Sequence, residues 1–321
     1  MKKKIIIVGG DLNSINSELI YKSWKKLDQS IKKRIYIISN FQLLKRQFKK
    51  LKYSINIKKV NSIDEHSNKD FLKILNIQLK SKNAFKIPDN ESSKFVLNSL
   101  NLAHKLALKK EVAGILNCPI DKKLLKKKKI GVTEYLASKC KIKKNSEVML
   151  IKNRLFTVSP MTTHLDIKDV SKNINKSLIL NKVKTINNWF KRQENKKPKI
   201  AMLGLNPHNA EFRKDSEEYK IISPTILKLK KKGVNLTGPL VSDTIFIESY
   251  KKFDVVIGMY HDQVLAPFKT LYKFDAINIT LGLKYLRVSP DHGIAKDLIG
   301  KNKANITSFM NCIKFVDEYK K

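Results

Sequence analysis

Short β-forming runs alternate with amphipathic helical stretches along the chain, and this alternation limits the fold more than any other feature. The runs are KIIIV, RIYIIS, VAGILN, RLFTVS, KIAMLGL and FDVVIGM; stretches such as SELIYKSWKKL and SSKFVLNSLNLAHKLALKK lie between them. Neighbouring parallel strands need a crossover, usually a helix, so the pattern predicts an α/β fold with a largely parallel sheet. A chain of 321 residues is long enough to divide its core between two lobes. We expect a first lobe of residues 1–130, joined by a returning C-terminal segment at 296–321, and a second of 131–295. The lysine-rich LLKKKKI (124–130) and LKLKKKG (227–233) read as exposed helix ends or turns.

Charge matters next, because a net +38 invites a nucleic-acid reading. Nearly all of it is lysine spread over the whole chain; arginine occurs only at 34, 46, 154, 192, 213 and 287. Base readers rely on arginine forks, so the lysines are expected on solvated faces and specific nucleic-acid recognition is not expected. No apolar run reaches the ~18–20 residues of a membrane span. The opening MKKKIIIVGG has only four apolar residues after its lysines and no cleavage-site pattern, which reads as a first strand and a cytoplasmic protein. Cys118, Cys140 and Cys312 are too scattered for a disulfide framework or a CxxC metal site.

Three strand-like runs end in histidine. RLFTVSPMTTH ends at His164, KIAMLGLNPH at His208, and FDVVIGMYH at His261. Ligands of open α/β sheets collect beyond the carboxyl ends of parallel strands, so the three could converge on a divalent ion. A single histidine in such a place is usually a loop or cap residue; three of the chain's six sharing it weakens that reading without displacing it. His66, His104 and His292 are weaker candidates. Lys269, Asn278, Thr280 and Arg287 follow on successive segments and suit a small phosphorylated, carboxylated substrate. Arg287 carries the most weight there, because arginine is so scarce. The first strand is followed by VGGDLNSINSE rather than GxGxxG, so no Rossmann fingerprint is present.

Together, TTHLDIKDV (162–170), GLNPHNAE (204–211), GPLVSDTIF (238–246), MYHDQVLAPFK (259–269) and NITLGLKYLRVSPDHGIAKDLIGKNKA (278–304) resemble the 4-hydroxythreonine-4-phosphate dehydrogenase family of vitamin B6 biosynthesis. GDLNSINSE (10–18) and NCPIDKKLL (117–125) do so more weakly. DHGIAKDLIGKNKAN is also similar to the cofactor loop of the wider isocitrate and isopropylmalate dehydrogenase superfamily. The resemblance implies a homodimer of two-lobed α/β/α subunits with the active site in the cleft between lobes, shared with the partner chain. Metal, substrate and NAD loops and the dimer interface would then belong to the second lobe.

By the same resemblance His164 and His208 would bind a divalent metal (Zn, Mg, Co or Ni) together with His261 of the other subunit. Val132, Thr133, Lys269, Asn278 and Arg287 would face the substrate, and Asp243, Asp262 and Lys269 the reacting centre. Thr280, Leu281, Gly282, Asp291 and His292 would line NAD or NADP. The implied reaction is oxidation of 4-phosphohydroxy-L-threonine at C3, then decarboxylation to 3-amino-2-oxopropyl phosphate. Three segments depart from the family pattern: GVTE has Val132 where the family carries histidine, NAEFRKDSEE is bulkier after NPH, and the first-strand loop has lost its proline. Val132 favours an alternative substrate, a threonate or erythronate 4-phosphate. A nucleic-acid-binding protein on a retired enzyme scaffold is the alternative of another class.

Overall fold

The computed structural model describes residues 3–65, 71–128, 131–143 and 145–319; His66 and residues 129 and 130 of the lysine run lie outside them. The strands are β1 (Lys4–Val8), β2 (Ile35–Ser39), β3 (Ile57–Val60), β4 (Leu72–Asn76), β5 (Val112–Asn117) and β6 (Val148–Lys152). They continue with β7 (Thr157–Pro160), β8 (Ile200–Leu203), β9 (Leu236–Leu240), β10 (Val255–Gly258), β11 (Ile277–Leu281) and β12 (Leu286–Pro290). Helices occupy both amphipathic stretches named above, at Asn16–Lys26 and Asp89–Ala107. Among the described residues no helix is long and apolar enough to cross a membrane.

Two compact units result: Met1–Cys140 with Lys284–Lys321, and Lys141–Leu283. In the first, the strand order is β3-β4-β2-β1-β5-β12 and every pairing is parallel. The C-terminal helix Thr307–Glu318 returns to this unit, burying Phe309, Cys312, Ile313 and Val316 at helical spacing against β12, β5 and β1.

The divisions fall at 140/141 and 283/284, not at the expected 130/131 and 295/296. The helix Val132–Cys140 belongs to the first unit, where Tyr135 Oη donates to Asn101 Oδ1 at 2.8 Å. β12 belongs there too because it pairs with β5, Leu286 opposite Gly114. Val132, Thr133, Arg287, Asp291 and His292 therefore sit in the first unit, whereas all three candidate metal ligands sit in the second.

The second unit orders its strands β11-β6-β7-β10-β8-β9. β6 runs antiparallel to both β11 and β7, while β7, β10, β8 and β9 are mutually parallel. Phe156 centres the core, 4.7 Å from the Tyr250 ring and 6.0 Å from the Phe268 ring. The helix His261–Tyr272 lays Val264, Leu265 and Phe268 on that core. Burying a side chain the size of Phe268 contributes about 1.5–3 kcal/mol, which holds the N-terminus of the helix, and His261 with it, against the end of β10.

Candidate functional site

Three adjacent parallel strands, in the order β7, β10, β8, deliver the three histidines from their carboxyl ends. Past β7, the backbone N–H of Met161 donates to Gly258 O at 2.7 Å and that of Thr162 to Met259 O at 3.1 Å. The Thr162 hydroxyl also donates to Met259 O, at 2.8 Å. These bonds lead His164 out beside the exit of β10, and the rings of His164 and His261 stand 6.0 Å apart, centroid to centroid. His261 opens its helix, and its Nδ1 lies 2.6 Å from Asp262 Oδ1. A carboxylate on Nδ1 orients the ring and leaves Nε2 for a ligand, so Asp262 is in contact with a candidate metal ligand.

His208 is presented differently. From His208 to Phe212 the backbone is left-handed, with φ of 48, 57, 51, 47 and 55°. At about 1–2 kcal/mol for each such non-glycine residue, five in succession persist only where surrounding contacts fix them. A Cβ at the preceding Gly204 would lie 2.0 Å from Asn209 Oδ1, so a larger residue there would displace the Asn209 side chain. Asn209 Nδ2 donates to Pro239 O at 3.1 Å, and Gln263 Nε2 donates to Gly204 O at 2.8 Å. Gln263 Oε1 also accepts from Met259 N at 2.6 Å, so one amide ties the exit of β10 to that of β8.

Glu218 completes the support. Its carboxylate is 0% exposed, and Oε1 accepts from the backbone N–H of Leu205 (2.7 Å) and Asn206 (2.8 Å). Asn206 Nδ2 donates to Glu218 Oε2 at 2.9 Å and to Glu217 Oε2 at 2.8 Å. The sequence reading assigned no role to Gln263, Glu217 or Glu218. The available signal was the pair of acids in DSEE, nine and ten residues beyond a histidine in a chain poor in carboxylates.

In the first unit Arg287 is 3% exposed. Its Nε donates to Asn117 Oδ1 at 2.6 Å, and its Nη1 lies 3.4 Å from Thr133 Oγ1. Burial pulls its pKa down to about 10, so the guanidinium stays charged at neutral pH. The structure thus brings together Arg287 and Thr133, adds Asn117, and leaves Val132 half-buried one residue away. Asp291 is buried, its N–H donating to Ser308 Oγ at 3.0 Å, and His292 Nδ1 lies 2.9 Å from Gly293 O. The loop that follows is strapped to the helix Asn16–Lys26. Ala304 N–H donates to buried Glu18 at 2.8 Å, Lys22 Nζ to Asn302 O at 2.9 Å, and Tyr53 Oη to Asn302 Oδ1 at 2.9 Å.

The remaining candidates lie in the second unit. Asn278 and Thr280 share one face of β11, and Asn278 Oδ1 is buried without a hydrogen-bond partner among the described residues, an acceptor that a ligand donor would satisfy. Leu281 is buried and Gly282 turns the chain at φ 87°. Lys269 lies two turns beyond His261 on the same helix, about 12 Å along its axis at 1.5 Å per residue. Asp243 is exposed in the first turn of Ser242–Ile245, just past β9. Among the described residues, no three His, Cys, Asp or Glu of one chain stand close enough together to hold a metal ion.

The family description "pyridoxal phosphate biosynthetic protein PdxA" matches residues 30–316. The chain belongs to this family. It is 36% identical to 4-hydroxythreonine-4-phosphate dehydrogenase of Sulfurihydrogenibium sp. (strain YO3AOP1), over 97% of this chain and 96% of that protein. It is likewise 36% identical to the enzyme of that name from Aquifex aeolicus (strain VF5), over 99% and 98%. Among solved structures it resembles 4-hydroxythreonine-4-phosphate dehydrogenase from Klebsiella pneumoniae, with a TM-score of 0.84, 27% identity and coverage of 99% and 98%. The α/β dehydrogenase fold expected from the strand–helix alternation and from the resemblance is the one this PdxA-family chain adopts.

Proposed function

We propose that the chain is an NAD- and divalent-metal-dependent dehydrogenase that oxidises 4-phosphohydroxy-L-threonine at C3 and releases 3-amino-2-oxopropyl phosphate after decarboxylation, in the cytoplasmic synthesis of pyridoxal 5'-phosphate. The observation that carries this reading is the delivery of three histidines by three adjacent parallel strands, in a chain of the PdxA family. An all-imidazole donor set suits Zn, Co or Ni better than Mg.

The set of His164, His208 and His261 is completed, in this reading, across two copies of the chain. Large apolar side chains are exposed directly after the site residues, Leu165 and Ile167 after His164, Phe212 after His208 and Ile247 after Asp243, and a second copy would cover them. When bound, the ion would act as a Lewis acid that lowers the pKa of the substrate hydroxyl. Asp262 orients the His261 ring. Arg287, held by Asn117, binds an anionic group of the substrate with Thr133, Asn278 and Lys269. Asp243, or Lys269 through a water, would accept the hydroxyl proton. Thr280, Leu281, Gly282, Asp291 and His292 line the nicotinamide cofactor, whose loop the Glu18 strap holds.

Val132 supports a second reading, in which the substrate is a threonate or erythronate 4-phosphate. It carries no hydrogen-bonding side chain beside the Thr133–Arg287 contact. The purified protein with NAD, Zn²⁺ and each of the three phosphates separates the two readings by absorbance of NADH. Turnover of 4-phosphohydroxy-L-threonine above the other two is expected. The reverse order would transfer the assignment to the sugar-acid phosphates.

A further inference from the structure

The left-handed turn that carries His208 contains no glycine, so the geometry of this candidate ligand has to be imposed by its neighbours. Three contacts bear on it: Asn209 from within the turn, Gln263 on the Gly204 carbonyl, and Glu218 on the two N–H groups just ahead of it. Of these, only Glu218 is ionisable, and it is wholly buried. It sits on a single π-turn, Glu218–Ile222, that leads into the helix Ser223–Lys231. Such one-turn widenings inside helices frequently occur at functional sites. Hydrogen bonds to a carboxylate are shorter and stronger than neutral ones, so this grip on Leu205 and Asn206 is the stiffest of the three.

We propose that Glu218 is a positioning residue for the metal centre: by gripping the Leu205–Asn206 backbone it sets the turn that presents His208. The inference rests on the reading of His208 as a metal ligand. Glu218 touches neither substrate nor ion. Its effect on the chemistry runs through the backbone over the few residues to His208, as an outer-sphere partner orients a ligand.

Glu218→Gln keeps the size of the side chain but sets an NH₂ group against the Asn206 amide or the backbone donors. Zn²⁺ affinity of the folded protein, measured by competition with a chromophoric chelator, is expected to fall about 10–100-fold, the range typical of lost outer-sphere partners. A filler of a polar space would leave that affinity unchanged. His208→Ala, measured alongside, should weaken Zn²⁺ binding more, and Glu218→Gln added to it should cause no further loss. If His208→Ala leaves affinity intact, the metal reading fails and takes this inference with it. If His208→Ala weakens binding and Glu218→Gln does not, the inference alone fails. Should Glu218→Gln not fold, Asn206→Ala removes one of the three donors to the carboxylate, and a smaller loss of Zn²⁺ affinity is expected. Glu218→Asp, which draws the carboxylate back from both backbone N–H groups, should lower affinity as well, and unchanged affinity in that variant would likewise overturn the proposal.

Discussion

His164→Ala is expected to lose most of its bound divalent ion and about a thousandfold in kcat, because a Lewis acid contributes several kcal/mol and each ~1.4 kcal/mol is tenfold. The ring is exposed, so the variant should fold as the wild type does. His261→Ala should behave alike. The informative experiment pairs the two. If ligands are shared across a symmetric dimer, a heterodimer of one His164→Ala chain and one His261→Ala chain regains one intact site and about half the wild-type activity. Tandem-tag purification followed by metal analysis and NADH production reads this directly. A heterodimer no more active than its parents would refute sharing and leave the 6.0 Å His164–His261 pair as an arrangement within one chain.

The second large effect belongs to Arg287. Arg287→Lys should cut kcat/KM for the phosphorylated substrate roughly 10- to 150-fold, since a charge-assisted hydrogen bond is worth ~1.5–3 kcal/mol. A lysine has no planar fork to hold Asn117 and an anion at once, and it leaves the Asn117 carbonyl oxygen short of a donor. KM for NAD should barely move. A pH signature is expected as well. Burial lowers the pKa of a cation, and at Arg287 it does so only to about 10, leaving the charge intact through neutral pH. The same burial acting on lysine, which starts lower, removes the charge at lower pH. Activity of the variant should therefore decline with rising pH across a range where the wild type is flat. Steady-state kinetics over pH 6–9 would test both points, and equal efficiency of variant and wild type would end the anion-anchor assignment.

How much of this was legible in the sequence depended on the range of the interactions involved. RLFTVS, KIAMLGL and FDVVIGM announce β7, β8 and β10 because their apolar runs reflect a strand buried on both faces. The histidines after them could be placed at strand ends for the same local reason. β3 and β4 were less readable: IKKV and LKILN include lysines, and Lys73 is nonetheless buried with its ammonium 4.2 Å from the centre of the Tyr36 ring. The lobe limits were misplaced because the helix Val132–Cys140 has the same pattern whichever sheet it joins. Its assignment comes from Tyr135 reaching Asn101, a contact between residues 34 apart. The left-handed turn at His208 gave no warning either. Without glycine, NPHNAEF reads as an ordinary loop, and the carboxylate bonded to the backbone just ahead of it lies on a later helix.

The first unit closes only when β12 pairs beside β5 and the helix Thr307–Glu318 covers both. Those pieces are synthesised after the whole of the second unit. A nascent chain that has just made VAGILN must expose that apolar strand while residues 141–283 of the other unit emerge. At about 5–20 residues per second the wait is roughly 7–30 s for those 143 residues (283 − 140). At its end the second unit is complete in sequence and the first is not. The protein is thus built inner part first, and the edge of β5 that later takes β12 stays unpaired through that interval.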